Sequence, residues 1–340
     1  TRQLTQNIDT SKIVAISFSG QMMGCLCVDR CGKPIRNSLI WADMRSTEQE
    51  REIRARIDES LFYHITGHRI SSSYSATKLM WLKDHEPDTY KKTYKMLNAK
   101  DYIVFKLTGN FITEPSDASS TCLMDLNTLK WSDELFELCG LDESKMPELA
   151  KSADIAGKVS AEAAACTGLM EGTPVVCGGG DGVCAVVGTG IIHEGIANCC
   201  LGTSSWISMA TQKPIYDDSM TTFNFAHIVP GYVMPCGTMQ YGGGSLSWAV
   251  KELYHFEAAE KKIDKKNLYD TVCQAVEKSP AGAKSLLFLP YLIGERSPRW
   301  NDKAKGVFLG LTLEHTRDDM LRAVMEGVAL NLDIILRAFL

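Results

Sequence analysis

No stretch of this sequence approaches the roughly 18 consecutive apolar residues of a membrane-spanning helix, so no membrane partner is expected. An excess of charge of one sign is also lacking. The 36 basic and 41 acidic residues leave a formal charge of -5. They are spread along the chain with no basic stripe to track a phosphate backbone, which argues against nucleic acid as a partner. No two cysteines have the Cys-x-x-Cys spacing, and Cys25, Cys27 and Cys31 have no histidine in a zinc-like arrangement nearby, so no metal ligands are identified in this chain. Neither Gly-x-x-x-x-Gly-Lys-Ser/Thr nor Gly-x-Gly-x-x-Gly before a helix occurs; if phosphate is bound, the P-loop and Rossmann solutions are not used. An initiating Met and a signal-peptide pattern are missing at Thr1-Arg2-Gln3-Leu4, and Phe339-Leu340 ends an apolar helix without a cap. The expectation is a sequence cut at both ends.

What is present is ordinary globular material, with 45% hydrophobic and 23% charged residues. Twelve cysteines lie in apolar or strand-like settings such as Cys177 and Cys199-Cys200, which predicts reduced thiols in a cytoplasmic protein. A length of 340 residues favours two domains. The first lobe reads as mixed α/β. Apolar runs at Ile13 to Ser17, Gly24 to Val28 and Ser38 to Trp41 predict strands. Helices are predicted over Thr47 to Ile57, from Ser75 past Trp81, over Asp88 to Leu107 and over Trp131 to Leu138 with a Ser132 cap. Strand Thr173 to Cys177 runs into a glycine-rich turn and the helix-like Val183 to Val187. Past Gly188-Thr189-Gly190 the texture changes to short strands: Gly195 to Leu201, Ser205 to Ala210, Phe225 to Val229 and Tyr232 to Cys236. The lobe boundary is placed near residue 192, giving lobes 1-192 and 193-340. Helices are expected at Ser245 to Tyr254 and Arg317 to Leu340.

Chemistry is most plausible at the glycine turns. Asp181 follows Gly178-Gly179-Gly180 at the carboxyl end of an apolar strand, where a side chain points into a ligand crevice; a turn aspartate capping the next helix has the same spacing. The turn Leu201-Gly202-Thr203-Ser204-Ser205 could cradle a phosphate on its amides, although an ordinary hairpin shares this composition. Gly242-Gly243-Gly244 at a helix start is a third possible anion site. Gln21-Met22-Met23-Gly24 and Trp41-Ala42-Asp43-Met44-Arg45 follow strands and could line a pocket; Met22 and Met23 could equally be core filler, and Asp43 with Arg45 a surface pair.

Two long patterns occur in order. Ser73-Tyr74-Ser75-Ala76-Thr77-Lys78-Leu79-Met80-Trp81-Leu82-Lys83-Asp84-His85 resembles the first signature of the FGGY carbohydrate kinases. Gly306-Val307-Phe308-Leu309-Gly310-Leu311, continuing through Asp319-Met320 and Ala323-Val324-Met325-Glu326, resembles the second. Tyr291 to Pro298, Gln21 to Gly24 and Gly179-Gly180-Asp181 are similar to the xylulokinase branch. The resemblance implies an α/β, actin-like (RNase H-like) ATPase fold of two lobes and a cleft that closes, with sugar held by the first lobe and ATP with Mg²⁺ by the second. By the same resemblance Asp181 matches the catalytic base. Gly202, Thr203 and Ser204 match the turn on the transferred phosphates, Gly243 and Ser247 a nucleotide-lining helix start, and Met22, Met23, Trp41, Ser73 and Gly182 sugar-side positions. Homodimers are common on this scaffold.

Two departures bear on specificity. Xylulokinases usually carry His at the position of Met23 and Asn at that of Gly182. Met and Gly donate no side-chain hydrogen bond, so a roomier pocket that fixes fewer hydroxyls is expected. A pentulose such as xylulose is the expected substrate, with other ketoses, aldonic acids and longer polyols open; the Arg-Glu pair of glycerol kinases is absent at Met22-Met23. The family's opening Asp-x-Gly-Thr hairpin and its closing glycine segment against adenosine find no match here, so residues 1-340 alone are expected to be inactive. A non-catalytic sugar-binding or regulatory module on the same fold is the alternative.

Overall fold

The computed structural model describes residues 1-254 and 265-340, with the side chains of 265-267 outside the description. The chain forms two compact units. One holds Thr1–Ile196, Ala210–Tyr216 and Phe223–Met234; the other holds Ala197–Met209, Asp217–Thr222 and Pro235–Leu340. The passage at 196/197 lies close to the boundary expected at 192, but the chain then returns to the first unit twice. Local bonds explain the returns. Tyr216 Oη donates to the His64 carbonyl at 3.0 Å, the Asn224 amide donates to the Gly67 carbonyl at 2.8 Å, and the Ala226 amide donates to Ser119 Oγ at 3.1 Å.

In the first unit, β1 (Ser19–Gly20) and β2 (Leu26–Val28) flank the Gln21 to Cys25 segment. Helix α1 (Thr47–Arg56) buries only Gln49 and Ile53, as its charge density requires. Helix α2 is Glu59–Thr66, and α3 is Ser75–His85. The single helix expected over Asp88 to Leu107 is instead α4 (Pro87–Lys92), β3 (Lys95–Leu97) and α5 (Ala99–Thr108). The break has two causes. Lys95-Met96-Leu97 pairs antiparallel with β2, and Asn98 with Asp101 forms a capping box that starts a new helix. Helix α6 (Pro115–Ser119) follows, and α7 (Asp133–Cys139) starts where Ser132 Oγ accepts the Leu135 amide. Strands β4 (Pro174–Val176) and β5 (Gly179–Gly180) lead into α8 (Asp181–Gly188). The strand expected over Ile13 to Ser17 is reduced to one parallel bridge, Ile16 to Val175, and that over Ser38 to Trp41 to one bridge, Leu39 to Cys25. The strand expected over Phe225 to Val229 lies earlier, at Phe223–Ala226. The core of this unit packs α3 residues Leu79, Met80 and Leu82 against Cys25, Ile53, Phe62 and Leu135.

In the second unit β6 (Ala197–Leu201) pairs antiparallel with β7 (Ser205–Met209), which pairs with residues 236–239 of β8 (Val233–Met239), the strand on which the chain passes from the first unit at Met234. Helix α9 (Gly243–Leu253) follows. The hairpin of β9 (Leu287–Leu289) and β10 (Val307–Leu309) precedes α10 (Arg317–Arg337), which starts at a Thr316–Asp319 capping box. Leu321, Val324, Phe288, Val250 and Tyr254 form its core. All twelve cysteines are free thiols.

Candidate active site

Parallel pairing places the first part of the site. Ser19 and Gly20 of β1 lie opposite Gly179 and Gly180 of β5, so the loop after β1 and the turn after β5 leave the sheet at the same end. Gly178, at φ 79°, lets the chain make this approach: a Cβ there would stand 2.3 Å from the Phe18 carbonyl oxygen. The first loop carries Met22 and Met23, and the second turn carries Asp181 and Gly182. Met22 is buried, and its Cγ and Sδ occupy the space that a Cβ on Gly180 would need, at 2.6 Å.

Asp181 does not cap the helix. The N-cap is Gly180, and Asp181 is the first residue of α8; its Oδ1 accepts the Gly182 amide at 2.9 Å. Desolvation raises its carboxyl above the ordinary aspartate range, opposed by hydrogen bonds from the Gly182 and Met22 amides. The side chain remains solvent-accessible and can meet a ligand. Below it, the Gly180 amide donates to Ser116 Oγ at 2.8 Å, and Ser116 Oγ donates to buried Glu114 at 2.6 Å. Ser152 Oγ and the Asp117 amide also donate to Glu114, which stands 3.4 Å from the buried Lys100 ammonium. Asp181 therefore rises from a turn tied to a buried polar network.

The Met22-Met23-Gly24 loop is held at four backbone atoms. The Met23 amide donates to Ser120 Oγ at 3.2 Å, and its carbonyl accepts from Lys78 Nζ at 2.9 Å. The Gly24 amide donates to Asn98 Oδ1 at 3.0 Å, and its carbonyl accepts from Ser75 Oγ at 2.7 Å. Met23 sits at φ 60°, a left-handed conformation that these bonds must hold. Lys78 also donates to the carbonyl of Ser73, another expected sugar-side residue, which is itself buried. Trp41 lies on the turn closed by the Asp43 amide and the Ile40 carbonyl and is 41% exposed. Asp43 pairs with Arg45 at 2.8 Å, and the Arg45 guanidinium sits 4.9 Å from the Trp81 ring centre.

Lys78 is the functional candidate that residue-by-residue reading passed over. Its signal was a lysine inside an otherwise apolar helical stretch, Leu79 to Leu82, a setting where lysine is rare unless its ammonium has partners. Ser75, Asn98 and Ser120 carry no such signal, because their role lies in distant backbone bonds.

In the second unit, the hairpin turn Gly202-Thr203-Ser204 is exposed. The anion-binding helix start expected at Gly242 to Gly244 is not available in that form. The Gly243 amide donates to the Gly202 carbonyl at 2.8 Å, the Gly244 amide to the Thr203 carbonyl at 3.0 Å, and the Ser245 amide to the Gly242 carbonyl at 2.9 Å. The glycines serve close packing: a Cβ on Gly242 would stand 1.9 Å from Ser205 Oγ and one on Gly243 2.5 Å from the Gly202 oxygen. The helix start thus buttresses the hairpin turn. Beside the turn a cavity of about 610 Å³ is lined by Leu201, Ile207, Gly243, Leu246, Met325 and Leu332 among others. Ser247 is not on its lining; it faces solvent on α9.

Solved structures place this architecture among the actin-like ATPases that phosphorylate carbohydrates. The xylulose kinase of Lactobacillus acidophilus superposes with a TM-score of 0.89 at 28% identity, covering 100% of this chain and 67% of that one. The gluconate kinase of Lactobacillus acidophilus gives the same TM-score at 29% identity, with the same coverage. Residues 1–188 match the N-terminal domain of the FGGY family of carbohydrate kinases and residues 197–340 its C-terminal domain, and the chain belongs to that family. A xylulose kinase of Staphylococcus xylosus is 33% identical over 321 residues, 94% of this chain and 64% of the relative. A gluconokinase of Bacillus licheniformis is 32% identical over 317 residues, 93% of this chain and 62% of the relative. The chain thus spans less than two thirds of the length of these curated relatives.

Proposed function

We propose that this chain is part of an ATP-dependent carbohydrate kinase that transfers the γ-phosphate of ATP to a hydroxyl of a small sugar, a pentulose such as xylulose. The observation that carries the reading is the parallel pairing of β1 with β5, from which the Met22-Met23 loop and the Asp181 turn leave the sheet at the same end. There a base and a clamped loop of sugar-side residues face the same ligand. The sugar hydroxyl oxygen attacks the γ-phosphorus, the bond from that phosphorus to the β–γ bridging oxygen breaks, and Asp181 takes the hydroxyl proton. The raised carboxyl makes Asp181 a stronger base than an ordinary aspartate.

In the second unit the Gly202-Thr203-Ser204 turn supplies small hydroxyl residues for phosphate oxygens, and the adjoining apolar cavity is of a size to receive part of a nucleotide. Among the described residues no group of three His, Cys, Asp or Glu side chains could hold a metal ion. Mg²⁺ would enter with the nucleotide and screen the charge of its phosphates. The relatives named for gluconate keep an aldonic acid as the competing substrate. No described helix is long and apolar enough to cross a membrane; the free thiols are consistent with a reducing compartment such as the cytoplasm.

The test is sugar-dependent ADP release by the complete gene product, over ketopentoses, aldonic acids and polyols with Mg-ATP. Release with a ketopentose supports the reading; release only with gluconate moves the substrate, and none with any sugar rejects the kinase.

A further inference from the structure

We propose that Lys78 is the positioning residue of the sugar pocket: its ammonium draws the Met23 and Ser73 carbonyls together and so fixes the shape of the surface that the sugar meets. The inference rests on the reading of Met22, Met23 and Ser73 as sugar-facing, and it adds a residue to which that reading gives no role. Three observations support it. Lys78 is fully buried on α3, yet its Nζ points out of the core cluster at two main-chain oxygens from segments 50 residues apart in sequence. One of those oxygens belongs to Met23, whose left-handed φ of 60° costs free energy in a residue other than glycine and is held only while its neighbours hold it. The carbonyls themselves are neutral, so the ammonium is a charge-assisted donor with no carboxylate bonded to it.

That arrangement makes the pocket sensitive to pH. Burial lowers the Lys78 ammonium from its ordinary range to about 8, and the negative charge that opposes this is Asp43, which is itself paired with Arg45. Cys25, on the facing segment, is pushed well above the ordinary thiol range by its hydrogen bond with Cys27 and by burial, so it stays neutral and does not titrate with Lys78. Loss of the lysine proton leaves a neutral amine with two N–H donors, so both contacts persist only as weaker, uncharged hydrogen bonds and the Met23 conformation is held less firmly. Sugar affinity is then expected to fall as pH rises through about 8, while nucleotide affinity, carried by the other unit, does not follow.

The test uses the complete gene product with its preferred sugar. Sugar KM, ATP KM and kcat are measured for wild type, Lys78→Met and Lys78→Arg from about pH 6.5 to about pH 9.5, with sugar binding followed by calorimetry without ATP. Wild-type sugar KM should rise above about pH 8 with ATP KM flat. Lys78→Met should raise sugar KM about ten-fold or more at neutral pH and remove its alkaline rise, whereas Lys78→Arg should recover part of the affinity and move the rise beyond the range. A sugar KM that is flat with pH in the wild type overturns the proposal even if Lys78→Met does not fold. So does a folded Lys78→Met with wild-type sugar KM. Absence of any sugar binding or turnover in the wild type would instead overturn the kinase reading on which the inference rests.

Discussion

Gly182 and Met23 are the single positions at which the proposed sugar side of the site can be tested most simply. A Cβ on Gly182 would meet only Met22 Sδ, at 3.8 Å, so the position has room for a larger residue. Met23 sits in the left-handed region, which His tolerates better than most residues. Met23→His with Gly182→Asn should therefore fold and add hydrogen bonds to a polyol. At about 1 kcal/mol each, one such bond lowers the KM for a ketopentose about five-fold. An unchanged or higher KM would show that these side chains do not face the sugar.

Glu295 offers a second residue-scale expectation. Burial pushes its carboxyl up to about 7, against hydrogen bonds from the Gln240 and Arg296 amides and the Asn331 side chain. The folded value lies above the unfolded one of about 4.3, so the fold binds this proton more tightly. Stability from this group is then greatest below about pH 4 and falls as pH rises toward about 7. Glu295→Gln keeps the shape and removes the titration. Its urea midpoint should lose less than the wild type's between about pH 5 and about pH 8; equal losses would contradict the assignment.

At the scale of elements, α10 tests packing against propensity. Gly327 lies in the middle of this 21-residue helix, where Gly→Ala ordinarily stabilises by up to about 1 kcal/mol. A Cβ at 327 would stand 2.2 Å from the Phe288 carbonyl oxygen of β9. Gly327→Ala should thus destabilise by about 1–3 kcal/mol in urea unfolding, and a gain in stability would contradict the close approach of helix and strand. The same contrast explains what the sequence revealed. Thr47–Arg56, Ser75–His85 and Arg317–Arg337 were legible as runs free of proline, the last also by the Thr316–Asp319 capping box at its start. Asp88 to Leu107 was not, since no glycine or proline interrupts it and only the partner strand Leu26–Val28 makes Lys95–Leu97 a strand. The Gly242 to Gly244 helix start looked open to an anion because the carbonyls of Gly202 and Thr203, some 40 residues earlier, cannot be seen from local pattern.

At the scale of the whole molecule, each unit carries one half of the proposed chemistry. Unit one holds Asp181, the proposed base, and the clamped Met22-Met23-Gly24 loop; unit two holds the hairpin turn and the apolar cavity. The strand, glycine turn and helix around Asp181 were readable because an apolar strand ending in glycines predicts a turn at the end of a sheet. The clamp on Met23 was not, because it joins side chains of α3 and of Ser120, just past α6, to main-chain atoms of the loop after β1. The most direct test of the account replaces the base alone. Asp181→Ala in the complete gene product should lower sugar-dependent ADP release by a factor of about 10² to 10⁴ while calorimetry still detects sugar binding. Turnover at the wild-type rate would contradict the role of Asp181 and with it the proposed mechanism.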